Sequence, residues 1–431
     1  MFESLFDDDR HVGIGASEAE LRVLVERYEQ LKSRAAAAQA RVTAIWAAKR
    51  AAAEEVGGVP ARRRGKGLAA EVALARHDAP VCGNTHLGVA RALVHEMPHT
   101  LAALECGALS EYRATLIVRE SACLSLEHRG QLDAELCADT SKLAGWGNKR
   151  VEAEAKRIAA RLDAAAVVER SAKAEQDRCV TTRPAPNCMV YVTVLLPVAQ
   201  GVGMFAALKQ AADTTFDDRS RGQVMADTAY ERVTGRQAAQ PVSVSLNLVM
   251  ADTTLAGDDT EPGWLDGYGP VPAGFACKLT GDAVADRDAK AMLRRLYRHP
   301  TSGQLVGMES RARTFPKGLA AFIGIRDRSC RTPYCNAPIR HHDHATPDRD
   351  GGKTSARNGL GLCEACNYAK EAPGWRVTTS ERDGEHTAEF VTPTQARYYS
   401  IAPPPPGTPV SRRSIVEGRF SVDLVTFEPA A

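Results

Sequence analysis

The sequence predicts an α+β protein with a largely helical N-terminal region, a small α/β middle region and a metal-stapled C-terminal module. Three observations carry this. Behind Ser17, the apolar residues Leu21, Leu24, Tyr28 and Leu31 recur at helical spacing. Two β-branched runs, Val190–Leu196 and Val242–Val249, are bounded by proline and read as strands. Cys330, Cys335, Cys363 and Cys366 stand in two close pairs.

Ser17-x-x-Glu20 is a capping box, and the pattern behind it predicts one long amphipathic helix to about Val56, so residues 1–60 form the first segment. That helix packs on its own domain or serves as a coiled-coil arm joining two copies in a homodimer. The pattern covers too few heptads to choose. Gly57-Gly58-Val59-Pro60 ends it, and the basic run Arg62-Arg63-Arg64-Gly65-Lys66 follows, either as a solvated helix entry or as a grip on phosphates.

Residues 61–325 read first as helices, from Leu68 to about Ala174, interrupted at Pro98, Gly107 and Gly145–Gly147. The two strands come next, with helical patterns between them at Val202–Phe216 and Gln223–Val233. A helix over Asp282–Tyr297, a strand over Gly303–Met308 and a helix from Phe315 to about Arg326 complete this region. Residues 326–380 form the cysteine module, expected to fold with zinc as a fragment from about Phe315 to Ser380. Residues 381–431 read as a tail, stiffened by Pro403–Pro406 and ending in an edge strand over Phe420–Phe427.

A net charge of +2 on 431 residues argues neither for nor against a polyanionic partner, so any nucleic-acid footprint must be local. No window approaches the ~18 apolar residues of a membrane span. The acidic N-terminus lacks the basic and apolar stretches of a secretory signal. Seven of the eleven cysteines are scattered, several of them inside helical patterns, which suits free thiols in a reducing cytoplasm. The other four suit a structural Zn2+, because each pair offers two soft thiolates on one side of a tetrahedral ion.

Between the cysteine pairs lie Ile339-Arg340-His341-His342-Asp343-His344, then Gly351-Gly352-Lys353-Thr354, then Asn358; Asn367 and Lys370 follow the last cysteine. Three histidines within four positions, flanked by polar residues, cannot all be buried and satisfied, so the pattern calls for a site. Histidine titrates near neutrality and can deprotonate water. A carboxylate and an amide oxygen can hold a hard cation. The segment resembles the HNH endonuclease family. The resemblance implies a ββα-metal fold around Mg2+ or Mn2+, with Asp343 and Asn367 as metal ligands, His344 as general base and Asn358 bracing the loop. The last position carries asparagine where the family name has histidine, which bears on metal preference.

The implied activity is metal-dependent hydrolysis of phosphodiester bonds in double-stranded DNA. The alternative is a non-catalytic, zinc-stabilised nucleic-acid-binding protein. The module carries only a small positive excess, and Arg326, Arg328, Arg331, Arg340, Lys353 and Lys370 are its candidate phosphate contacts. A second resemblance covers the longer part. Met225-Ala226-Asp227, Asn247–Met250, Leu265–Ala273 and Arg294–Tyr297 are similar to a bacterial family called domain of unknown function 222, which commonly carries this module and the string here spanning Asn358–Asn367.

Overall fold

Ser17 caps the first helix as its sequence predicts: its hydroxyl accepts from the Glu20 amide, and the Glu20 carboxylate accepts from the Ser17 amide at 2.8 Å. The helix, α1, runs over Glu18–Val56. The computed structural model describes residues 16–238, 247–251, 254–255, 259–285, 314–382 and 385–404. The expected strands at Gly303–Met308 and Phe420–Phe427, most of those at Val242–Val249 and the helix at Asp282–Tyr297, and Arg294–Tyr297 fall outside these residues. The chain divides after Ala174 into two compact units.

The first unit is helical. After α1 come α2 (Leu68–Ala75), α3 (Gly83–His95), α4 (Pro98–Glu105), α5 (Glu111–Glu120), α6 (Leu126–Cys137), α7 (Asn148–Leu162) and α8 (Ala164–Ala174). α1 packs against α3 and α4, but not through its leucines. The buried stripe is Ala36, Ala37, Ala40, Ala44 and Ala47, whereas Leu21 is exposed and Leu24, Tyr28 and Leu31 are half-buried. Small side chains let the helices approach closely, so the contact surface lies one step further along the helix than the large apolar residues suggest. Leu93, Met97, Leu104, Ile117, Leu132 and Ile158 fill the core. The start of α4, at Pro98, has no side-chain cap of its own. Buried Asp133 from α6 supplies one, accepting from the His99 and Thr100 amides at 2.8 and 2.7 Å.

In the second unit, β1 (Cys179–Ala185) and β2 (Met189–Leu195) form an antiparallel hairpin. The sequence pattern gives β2; β1 is obscured by the polar run Thr181-Thr182-Arg183 and by Pro184. Helices α9 (Val198–Thr214) and α10 (Arg221–Thr234) follow, the latter closed by Gly235 at φ 70°. β3 (Leu248–Val249), β4 (Gly263–Leu265) and β5 (Gly269–Val271) make a small sheet before α11 (Ala273–Ala285).

The C-terminal module contains α12 (Lys317–Asp327), the antiparallel pair β6 (His341–His344) and β7 (Gly359–Leu362), and α13 (Glu364–Lys370). It does not stop at residue 380. β8 (Arg376–Arg382), β9 (Glu385–Val391) and β10 (Arg397–Ile401) form a three-stranded sheet in the order β10-β9-β8. Val377, Ala388 and Phe390 share one buried cluster with Cys330, Cys335, Cys366, Leu360 and Leu362. The boundary at 380 therefore cuts through a strand, and the segment read as tail supplies Ala388 and Phe390, two of the nine residues of the module's main buried cluster. Its signal is the alternation of buried His386, Ala388 and Phe390 with less buried neighbours, in a stretch too polar on average to stand out.

Candidate metal centre and the Asp343 cluster

The turn Cys330–Cys335 is pinned by the Cys330 amide donating to the Ala337 carbonyl, and Cys363 caps α13, its thiol accepting from the Cys366 amide. These two local structures bring the four sulfurs within 4.8 Å of one another, with Cys335 Sγ and Cys363 Sγ 3.9 Å apart. Zinc–thiolate bonds of ~2.3 Å in a tetrahedron require sulfurs roughly 3.8 Å apart, so the cage has the right size. Mutual hydrogen bonding, that of Cys335 first, lowers the Cys330 thiol to about 7, and the same crowding pulls Cys363 down and pushes Cys366 up. Four thiols so placed cannot act independently. The four cysteines can hold a metal ion such as zinc.

A second feature ties the module together. Asp327, at the end of α12, is fully buried between Arg326 and Arg331. Arg326 donates to the Ala356 and Gly359 carbonyls, and Arg331 to the His386 and Ser400 carbonyls. The Asp327 carboxylate also accepts from the Gly361 amide at 2.7 Å. Burial alone would raise this carboxyl; Arg326 and then Arg331 outweigh it and hold it below the ordinary range. One carboxylate thus links α12, the first cysteine turn, β7, β9 and β10.

Strand geometry sorts the residues of β6. His342 and His344 face one way. His344 is buried, its ring 4.7 Å from Phe315 and its Nε2 2.8 Å from Thr354 Oγ1. His342 lies toward Gly324 of α12, and burial lowers its basicity. His341 and Asp343 face α13, where the His341 ring meets Tyr368 and Asp343 Oδ2 lies 3.0 Å from Lys370 Nζ. Asp343 Oδ1 accepts from the His344 amide at 2.8 Å and lies 3.6 Å from His344 Nδ1. Burial works to raise the Asp343 carboxyl, but the Lys370 ammonium prevails and lowers it.

Asn367 precedes Lys370 by three residues on α13 and so shares its face. Its Oδ1 is buried and meets no donor among the described residues. Asn358 pairs with both backbone groups of Thr346, accepting from its amide and donating to its carbonyl at 2.9 Å, and donates to the Lys353 carbonyl at 3.0 Å. The loop it closes turns at Gly351, at φ 85°, and a Cβ on Gly352 would lie 1.8 Å from the Thr346 carbonyl oxygen.

The residues expected at a nucleic acid separate into two groups. Arg340 and Lys353 are exposed. Arg326, Arg331 and Lys370 are buried and engaged in the internal pairs above, and so are not available to a phosphate. Arg328 stacks over Trp264 at 4.5 Å and donates to the Pro404 carbonyl. An arginine beside a metal knuckle looks the same in sequence whether it binds DNA or staples the fold. Thr354 stands in the sequence pattern without a role, and Asp327, Glu371 and His386 escaped that reading. Of these, only Glu371 carried a signal, standing four residues after Asn367 on one helix face.

These features define a protein with a helical N-terminal unit and, at its C-terminus, a module whose four clustered thiols can hold a metal ion, with Asp343, His344 and Asn367 close by in the chain. The chain belongs to the family described as domain of unknown function 222, whose model matches residues 24–327. The match ends just before Cys330. No curated protein and no solved structure matches the chain. Among the described residues, no helix is long and apolar enough to cross a membrane.

Proposed function

We propose that the C-terminal module is an HNH-type endonuclease that hydrolyses phosphodiester bonds in double-stranded DNA. The observation that carries this reading is the buried, unpartnered Oδ1 of Asn367, on the helix face that reaches Asp343. A bare amide oxygen there costs stability unless something binds it, and one carboxylate with one amide suits a hard cation such as Mg2+ or Mn2+. When bound, such a cation would neutralise charge on the phosphate and on the departing sugar oxygen.

The chain's own residues do the rest. His344 Nε2 lies 2.8 Å from Thr354 Oγ1, and Nδ1 lies on the Asp343 side of the ring. In the tautomer that carries its proton on Nε2, Thr354 accepts from it and the Nδ1 lone pair is free to act as base. There Nδ1 takes a proton from the attacking water as its oxygen bonds to phosphorus and the P–O bond to the leaving sugar oxygen breaks. Asn358 keeps the Thr346–Lys353 loop in place. Arg340 and Lys353 meet the DNA backbone, and the zinc-bound cysteines hold β7 and α13 in register with the first cysteine turn.

The burial of His344 under Phe315 favours a second reading, in which this histidine is structural and the module is a non-catalytic, zinc-stabilised nucleic-acid binder. Plasmid cleavage in Mg2+ or Mn2+ separates the two. His344→Ala should lose roughly 10²–10⁴-fold in rate while keeping its zinc and its DNA binding. Cleavage by His344→Ala and Asp343→Ala at the wild-type rate would place the activity outside this cluster, and no cleavage by the wild type in either metal would leave only the binder.

A further inference from the structure

We propose that Lys370 is a resident cation at the candidate metal site, holding the place of the divalent ion on Asp343 and withdrawing onto Glu371 when that ion binds. The inference rests on the endonuclease reading above and deepens it. The Lys370 side chain is 3% exposed, a position that lysine takes only when paired. Its Nζ lies 3.0 Å from Asp343 Oδ2 and 2.6 Å from Glu371 Oε1, so it bridges two carboxylates. Asp343 Oδ1 is already occupied by the His344 amide, which leaves Oδ2 as the oxygen turned toward α13. A cation seated on Asp343 and Asn367 therefore needs the same oxygen that the ammonium holds.

Two positive charges on one oxygen of a half-buried carboxylate repel each other. Lys370 must then move before the site can fill, and the structure contains its destination. Glu371 already holds the ammonium, and Arg349 fixes the other Glu371 oxygen from outside at 2.8 Å. A short swing of a flexible four-carbon stem transfers Lys370 wholly to Glu371 and opens Asp343 Oδ2 toward Asn367 Oδ1. With no divalent ion bound, the ammonium neutralises a half-buried carboxylate. The device sets a threshold: the site fills only where the divalent ion is abundant enough to displace an internal lysine.

The test is Mn2+ binding to the full-length zinc-loaded chain, followed by electron paramagnetic resonance of the free ion, with zinc content as the check on folding. Lys370→Met should bind Mn2+ about tenfold or more tightly than the wild type. Glu371→Gln should bind it several-fold more weakly. In the Lys370→Met background, Glu371→Gln should have no effect, because Glu371 acts by receiving the lysine. Unchanged or weaker Mn2+ binding by zinc-replete Lys370→Met overturns the proposal. If Lys370→Met loses its zinc, Glu371→Gln alone decides, and binding equal to or tighter than the wild type overturns it. A loss on Glu371→Gln that persists in the Lys370→Met background makes Glu371 a direct ligand, which also overturns it. Asp343→Asn keeps the two readings apart. Mn2+ binding that Asp343→Asn abolishes and Lys370→Met does not improve sinks only the displacement, whereas no Asp343-dependent Mn2+ binding in any variant sinks the endonuclease reading as well.

Discussion

The helical unit and the C-terminal module solve the same problem with different materials. The first buries a continuous apolar cluster built from α1 and α3–α7, with leucines, alanines, Met97 and Ile158 at its centre. In the module, three of the nine residues in the main buried cluster are cysteines of the candidate metal site, and the neighbouring interior holds Arg326, Asp327, Arg331 and His386. Apolar packing is non-directional and tolerates small shifts. Thiolate coordination and buried ion pairs are directional, and fail when one partner is removed. The module thus gains a fixed geometry around Asp343 and Asn367 from groups that would be poor choices for stability alone.

The sharpest way to break the comparison is to take the metal away. Strong chelation of the full chain should unfold the module and spare the helical unit, since a structural zinc contributes on the order of 10 kcal/mol of apparent folding free energy. Hydrogen exchange should show protection lost across β6–β10 and kept in α3–α7. Purified protein without zinc by elemental analysis would refute the assignment of the four cysteines.

Next in size is Asp327→Ala, which strands two buried guanidinium groups. It should cost the module ~3–5 kcal/mol, read from its denaturant midpoint, with the helical unit unmoved. A loss under 1 kcal/mol would mean that solvent reaches the pair. The matching change in the helical unit is Ile117→Ala, at a fully buried site. Here we expect about 3 kcal/mol, confined to the helical transition and independent of zinc. A zinc-dependent effect would show that the two regions are not separate in energy.

The smallest effect concerns acid. Burial, and then Arg326, lower His386 to about 4, while its Nε2 lies 2.8 Å from the Arg357 carbonyl oxygen. Its folded basicity is below that of the unfolded chain, where histidine titrates near 6.5. Between those values the unfolded state binds more protons, so stability is complete above about pH 6.5 and falls as pH drops toward 4. The full loss is about 3 kcal/mol at most. Comparing wild type with His386→Asn isolates it from protonation of the thiolates; parallel pH profiles would show that His386 stays neutral in neither state more than the other.

The fragment expected from Phe315 to Ser380 ends before the strands β9 and β10. Such a fragment lacks Ala388 and Phe390 and deprives Arg331 of both carbonyl acceptors on β9 and β10. A fragment ending at Pro404 keeps them and is the one expected to fold.

The sequence by itself determined what local chemistry can specify. The Ser17–Glu20 box, the strand at Val190, the two cysteine pairs and the Gly351-Gly352 turn each depend on residues a few positions apart, and each is present in the structure. Only tertiary structure decided which charges face inward. Arg326, Arg331 and Lys370 read in sequence like basic residues beside a nucleic-acid site, and their burial depends on partners as distant in the chain as Ser400, 69 residues from Arg331. The same holds for the sheet after residue 375, whose polar average hides a buried face that exists only because the cysteine core is there to cover it. A side chain's type and spacing are local properties, whereas burial and pairing belong to the whole fold.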